Sequence, residues 1–249
     1  MIHSFLLIGQ SNMAGRGEIT DVKPIDNPNI KVLRNGRWQN MYIPVNPDRA
    51  FSGVNLAESF ADMYSKEHGT QVGLIPCADG GTSLNQWREG GLLFDNAIYQ
   101  TRLASRTSTV AGILWHQGES DCEEDLYPFY EEKLKKIINA FRKEKELQDI
   151  PFMVGGLGDF LVYGDRESYK NYTHINDALK HIANDCKMVR FVSASGLKSK
   201  PDNLHFNAKA LREFGIRYYS EFKRIENKNK VFIEKPDPDD VFRTELELL

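Results

Sequence analysis

Five short runs of apolar residues punctuate the chain, at residues 5–8, 72–75, 110–115, 152–154 and 189–192. Each has the length of a buried strand, and most are rich in β-branched side chains. Between them, apolar residues recur at helical spacing: Leu56, Phe60 and Met63; Leu92, Ala97 and Leu103; Tyr130, Leu134, Ile137, Ile138 and Phe141; Ile175, Leu179 and Ile182; Leu211, Phe214, Tyr218 and Phe222. Near-continuous apolar strands alternating with amphipathic helices predict right-handed βαβ units and a parallel sheet covered on both faces. The expected fold is α/β, a three-layer α/β/α sandwich with a five-stranded parallel sheet. The first connection is long, and Asn35-Gly36 between residues 30–34 and 37–41 reads as a small hairpin, expected to decorate the rim of the sheet.

A chain of 249 residues can bury a sizeable core without disulfides or metals. No fixed-period repeat or low-complexity tract divides it, so residues 1–226 are expected to form one domain. Residues 227–249 read as a C-terminal extension. Val231, Phe232, Ile233, Val241, Phe242 and Leu246 make it too apolar for a solvated tail, and it is expected to pack across the domain or against a second subunit, giving a homo-oligomer.

With 32 Lys and Arg against 35 Asp and Glu, the net charge of −3 lacks the basic excess of a nucleic-acid binder. The three cysteines, Cys77, Cys122 and Cys186, form no C-x-x-C pair and suit a reducing compartment. The N-terminal apolar run is short and has no basic segment before it. The expectation is a soluble cytoplasmic protein with neither membrane nor nucleic acid as partner.

In open parallel sheets the ligand sits beyond the carboxyl ends of the strands, so the segments after each apolar run are where chemistry belongs. After the first comes Gly9-Gln10-Ser11-Asn12-Met13-Ala14-Gly15; its spacing fails the G-x-S-x-G elbow of α/β-hydrolases. After the second come Gly80 and Gly81, whose backbone can approach a ligand. After the third comes Trp115-His116-Gln117-Gly118-Glu119-Ser120-Asp121. A metal held by His116, Glu119 and Asp121 is a poor reading, because no second histidine joins them at helical spacing. After the fifth comes Asp202-Asn203-Leu204-His205-Phe206-Asn207, where a spacing of three lets the Asp202 carboxylate hold one nitrogen of His205 while the other faces the cleft. A serine, an Asp–His pair and two loops of polar donors on one sheet edge are what acyl transfer requires.

The segments GQSNMAGRG, GGTSLNQW, WHQGESD and DNLHFN, in this order, resemble the four blocks of the SGNH hydrolase superfamily. They are most similar to its sialate O-acetylesterase and acetylxylan esterase branch, carbohydrate esterase family six. The resemblance implies a flavodoxin-like sandwich and a serine hydrolase that removes acetyl groups from sugars without metal or cofactor. It also implies roles: Ser11 as nucleophile, His205 as general base, Asp202 as its partner, and an oxyanion hole built from the N–H of Ser11, an N–H of Gly80 or Gly81, and the side-chain amide of Gln117. Asn12, Trp87, His116 and Glu119 fall in or beside the blocks and are candidates for supporting the site or binding substrate. Trp87 is a candidate sugar-facing wall, His116 a residue facing the cleft, and Glu119 a residue that positions its loop. The substrate is expected to be an acetylated sugar or oligosaccharide. A non-sugar acyl ester cleaved by the same triad, or a catalytically silent carbohydrate-binding relative, are the alternatives.

Overall fold

The computed structural model describes residues 2–229. Among them the strands form one seven-stranded sheet: β1 (Ile2–Gly9), β2 (Ile30–Arg34), β3 (Arg37–Asn40), β4 (Gln71–Pro76), β5 (Ser108–His116), β6 (Phe152–Gly155) and β7 (Val189–Val192), in the order β3-β2-β4-β1-β5-β6-β7. The helices are α1 (Ser11–Ala14), α2 (Ala57–His68), α3 (Leu92–Ala104), α4 (Tyr130–Phe141), α5 (Tyr172–Asp185) and α6 (Ala208–Asn229). Counted alone, the five apolar runs lie in the order second, first, third, fourth, fifth, which is the flavodoxin-like winding.

The sheet is two strands wider than the sequence pattern implies. Asn35-Gly36 does turn a two-residue hairpin, with φ of 50° and 75°, the paired positive values that a type I′ turn demands. The hairpin does stand at the rim, but as part of the sheet. Its first strand, β2, pairs in parallel with β4 and buries Ile30 and Val32, and only β3, antiparallel and mostly exposed, is left as a polar edge. The apolar content of β2 is broken by Lys31 and Arg34, which hides a sheet strand inside what looks like a surface ribbon.

The sandwich is three layers deep. On one side α2 packs on α6, and Phe5 of β1 meets Phe60, Tyr64 and Phe222 edge to face at 4.8–5.6 Å. On the other, α3 meets α4 through Phe94 and Phe141 at 4.5 Å, α4 packs on α5, and Trp115 lies against Trp87 at 5.6 Å. Aromatic pairs of this geometry add about 0.5–1.5 kcal/mol each beyond the burial of their area. Because the winding reverses between β1 and β5, their carboxyl ends diverge into a crevice. Helix α6 carries through Asn229, so the proposed boundary at 227 falls within a helix. The rest of the extension, with its expected subunit contact, lies outside the described residues.

All three cysteines are free, with Cys77 and Cys122 buried. Burial pushes the Cys77 thiol up to about 12, so it is an inert core residue. Among the described residues no helix is long and apolar enough to cross a membrane.

Candidate active site

Ser11 is the first residue of α1, directly beyond the end of β1, and is 6% exposed. Its Oγ lies 3.0 Å from Nε2 of His205, and Nδ1 of that ring lies 2.8 Å from Oδ2 of Asp202. A carboxylate can only accept, so Nδ1 carries the proton and Nε2 is left to accept from the serine hydroxyl. The Asp202–His205 spacing works through a turn rather than a helix: Asn203 sits in the left-handed region at φ 49°, a conformation asparagine tolerates. Oδ1 of Asp202 meanwhile accepts the backbone N–H groups of Leu204 and His205 at 3.0 and 2.9 Å. Partial burial pushes the Asp202 carboxyl up, but these N–H bonds and the imidazole outweigh it and hold the group below its usual range.

Asn12 clamps this arrangement. Its Nδ2 donates to the Leu204 carbonyl at 3.2 Å and to Oε1 of Glu119 at 2.5 Å, and its Oδ1 accepts from the Phe206 N–H at 3.1 Å. The two residues flanking His205 are thus both tied to the residue after Ser11. Asn12 and Glu119 are 1% and 3% exposed, so this clamp is shielded from solvent. The loop is strapped again by Lys200, whose Nζ donates to the Arg16 carbonyl and to Glu18.

The loop after β4 supplies the opposite wall. A Cβ on Gly80 would come within 2.5 Å of the Arg16 guanidinium and 3.5 Å of the Ser11 Cβ, so only glycine brings the backbone this close to the serine. Gly81 has φ 78° and open space where a Cβ would stand. Among the described residues no protein acceptor meets the N–H of Gly81 or that of Ser11. The Gly80 N–H, by contrast, is taken by Oδ2 of Asp48 at 2.9 Å, so of the two glycines Gly81 has the free donor.

Asp48 is also gripped by both terminal nitrogens of Arg16, at 2.9 and 2.7 Å, and by the Ser52 hydroxyl at 2.8 Å. Burial pushes its carboxyl up, but the bonds from Arg16, Ser52 and Gly80 overcome this and lower it below its ordinary value. Removing one partner from a buried pair of this kind costs about 3–5 kcal/mol.

Three expected site residues stand elsewhere. The Gln117 side chain is fully buried, and its Nε2 is already committed to Asp121 at 2.5 Å, the Thr82 carbonyl at 3.0 Å and Gln10 at 3.2 Å. An amide with two protons and three acceptors has none to offer an oxyanion, so Gln117 ties the loops together instead. Trp87 forms no sugar-facing wall: it is fully buried, donates to Thr82 at 3.1 Å and packs on Trp115. His116 does not face the cleft. It is fully buried with Nε2 at 3.1 Å from the Gly156 carbonyl, and burial lowers its pKa, so it stays a neutral core group. Among the described residues no group of three His, Cys, Asp or Glu could hold a metal ion; Glu119 faces Asn12 while Asp121 faces Gln117.

The cleft over Ser11 encloses about 320 Å³. Beside Ser11, His205 and the two glycines, it is lined by Arg16, Arg49, Phe51, Arg166 and Tyr169. Arg16 and Asp48 are the site residues that sequence reading missed. The one signal for them is the position of Arg16 between Gly15 and Gly17 in the first motif.

Residues 1–224 match the family model described as carbohydrate esterase, sialic acid-specific acetylesterase. The chain belongs to this family. A probable carbohydrate esterase of Arabidopsis thaliana is 28% identical over 236 residues, spanning 85% of this chain and 86% of that protein. The solved structure of an A. thaliana protein superposes with a TM-score of 0.79 at 24% identity, covering 89% of this chain and 98% of that one. NanS superposes at 0.74 with 17% identity, over 91% and 98% of the two chains. A carbohydrate acetylesterase from Xanthomonas citri superposes at 0.65 with 16% identity, over 91% of this chain and 57% of that one. These structures share with this carbohydrate esterase the α/β sandwich described above.

Proposed function

We propose that this carbohydrate esterase hydrolyses acetyl esters on sugars through an acetyl-Ser11 intermediate. The observation that carries the reading is the unbroken chain from Ser11 Oγ to His205 to Asp202, at 3.0 and 2.8 Å, beside two unengaged backbone N–H groups. His205 takes the Ser11 proton as Oγ attacks the acetyl carbon, and the carbonyl oxygen becomes an anion held by the N–H groups of Ser11 and Gly81. Collapse breaks the ester bond, and the sugar oxygen leaves with the proton from His205. Water then repeats the sequence on the acetyl-enzyme, releasing acetate and restoring the serine. Asp202 holds the imidazole in the required tautomer and offsets the positive charge it gains.

The cleft supports a short acyl group on a polar alcohol. Arg16, Arg49, Arg166, Glu119 and Ser120 line the cleft beside the serine, and a lining this polar favours a short acyl group over a long one. Phe51 is 70% exposed at the rim, with the Arg16 guanidinium 5.2 Å from its ring centre. A bare aromatic face beside a hydrolytic serine suits the apolar face of a pyranose ring, whose polarised C–H groups meet the negative π-surface.

Two measurements test this. Among p-nitrophenyl esters, kcat/KM is expected to be highest for acetate and to fall steeply by octanoate; a preference for octanoate would overturn the carbohydrate reading. Phe51→Ala is expected to raise KM for an acetylated xylo-oligosaccharide about 2- to 10-fold, the equivalent of one aromatic contact. Turnover of ethyl acetate is expected to stay unchanged, and an equal loss on both substrates would remove Phe51 from sugar recognition.

A further inference from the structure

Asp121 lies on the loop after β5, and its carboxyl is 1% exposed. Two donors converge on it: Nε2 of Gln117 on Oδ2 at 2.5 Å, and the backbone N–H of Leu84, at 3.0 Å from Oδ2 and 3.3 Å from Oδ1. Gln117 in turn donates to the carbonyl of Thr82, the residue after Gly81. It also donates to Oε1 of Gln10, the residue before Ser11, and that same oxygen faces the N–H groups of Gly118 and Ser120 at 3.4 and 3.3 Å. The turn that carries Ser11 and the loop that carries Gly81 are therefore joined through one buried carboxylate and one amide. Nothing in the hydrolytic chain of Ser11, His205 and Asp202 calls for a second buried acid at this place.

We propose that Asp121, in its ionised form, is a positioning residue for the hydrolysis, fixing the Gly81 N–H relative to the Ser11 N–H so that both reach one oxyanion. The inference rests on the acetyl-Ser11 reading. The anion is needed because every hydrogen-bonding group that meets the carboxyl is a donor. Protonation weakens both charge-assisted bonds and puts a new O–H where only the Leu84 N–H faces it. The titratable groups around it are Glu119, Cys122, Tyr130 and Lys133. Burial pushes Asp121 up to about 6 and Glu119 adds to this, against the opposing pull of Gln117, Leu84 and Lys133. The carboxylate thus forms, and the hole tightens, as pH rises through about 6.

Asp121 must then lose its proton before turnover. On the acid limb, log(kcat/KM) for p-nitrophenyl acetate is expected to climb one unit per pH unit more steeply in the wild-type enzyme than in Asp121→Asn. The variant is also expected to lower kcat about 10²-fold with little change in KM, the pattern of a displaced oxyanion donor. Asp121→Asn with unchanged kcat, or with an acid limb as steep as that of the wild type, overturns the proposal. A fluorophosphonate probe separates this from failure of the underlying reading. Labelling of Ser11 in both proteins keeps the serine mechanism in place while the slopes judge Asp121, whereas labelling in neither removes the mechanism itself.

Discussion

Ser11→Ala is expected to lower kcat for acetyl-ester hydrolysis by about 10⁵-fold or more, because the variant has no oxygen to form the intermediate and His205 has no proton to take. The fold should survive. Ser11 contributes one side-chain hydrogen bond, to His205 at 3.0 Å, and losing a bond of that kind costs only about 0.5–1.5 kcal/mol. Backbone contacts hold the turn independently of the hydroxyl: the Gly15 N–H reaches the Ser11 carbonyl at 2.8 Å, and Asn12 keeps its bonds to Leu204 and Phe206. Circular dichroism and thermal unfolding should therefore match the wild type. Retained turnover in a folded variant would show that another group attacks the ester.

Asp202→Asn is expected to have the second-largest effect, a fall in kcat of about 10⁴-fold. The substitution nearly preserves volume, so the cause is protonic. Oδ1 of Asp202 is occupied by the N–H groups of Leu204 and His205, which forces the carbonyl oxygen of an asparagine to that side and turns its NH₂ toward Nδ1 of His205. The ring must then accept at Nδ1 and carry its proton on Nε2, the nitrogen that faces Ser11. A protonated Nε2 cannot act as base. The measurement is kcat for p-nitrophenyl acetate beside the wild type at pH 8; activity within 10-fold of wild type would show that Asp202 only shapes the turn. The same linkage acts on stability. Asp202 and Asp48 are both held below their ordinary range in the folded state, so the stability they add is present above the unfolded carboxyl values and is lost as pH falls through the folded ones.

The layered fold was legible because strands buried on both faces must read as apolar runs, and all five such runs became strands. The place of β2 was not, because a strand interrupted by Lys31 and Arg34 is recognised only once its neighbour β4 exists to bury Ile30 and Val32. The chain of Ser11, His205 and Asp202 followed from a rule of position, that loops beyond the carboxyl ends of parallel strands converge. Which N–H groups are left free beside Ser11 did not, because that depends on which donors are already spent. Gln117 begins in the right place, but Asp121, four residues on, takes its proton. Gly80 and Gly81 are equivalent in the sequence, yet the Asp48 carboxylate captures one N–H and leaves the other. The Arg16–Asp48 pair was invisible for a similar reason: its partners are 32 residues apart on two loops with no shared periodicity. Trp87 and His116 show the converse, since a motif's residues can be its packing as well as its chemistry.

The central claim is that the acetyl group passes through Ser11, and the most direct measurement is to trap it there. The enzyme is mixed with excess p-nitrophenyl acetate, quenched in acid during steady turnover, digested, and mapped by tandem mass spectrometry. The account predicts one added acetyl group, on Ser11 of the peptide ending at Arg16, and none in Ser11→Ala. An acetyl group on another residue, with Ser11 unmodified, would contradict it.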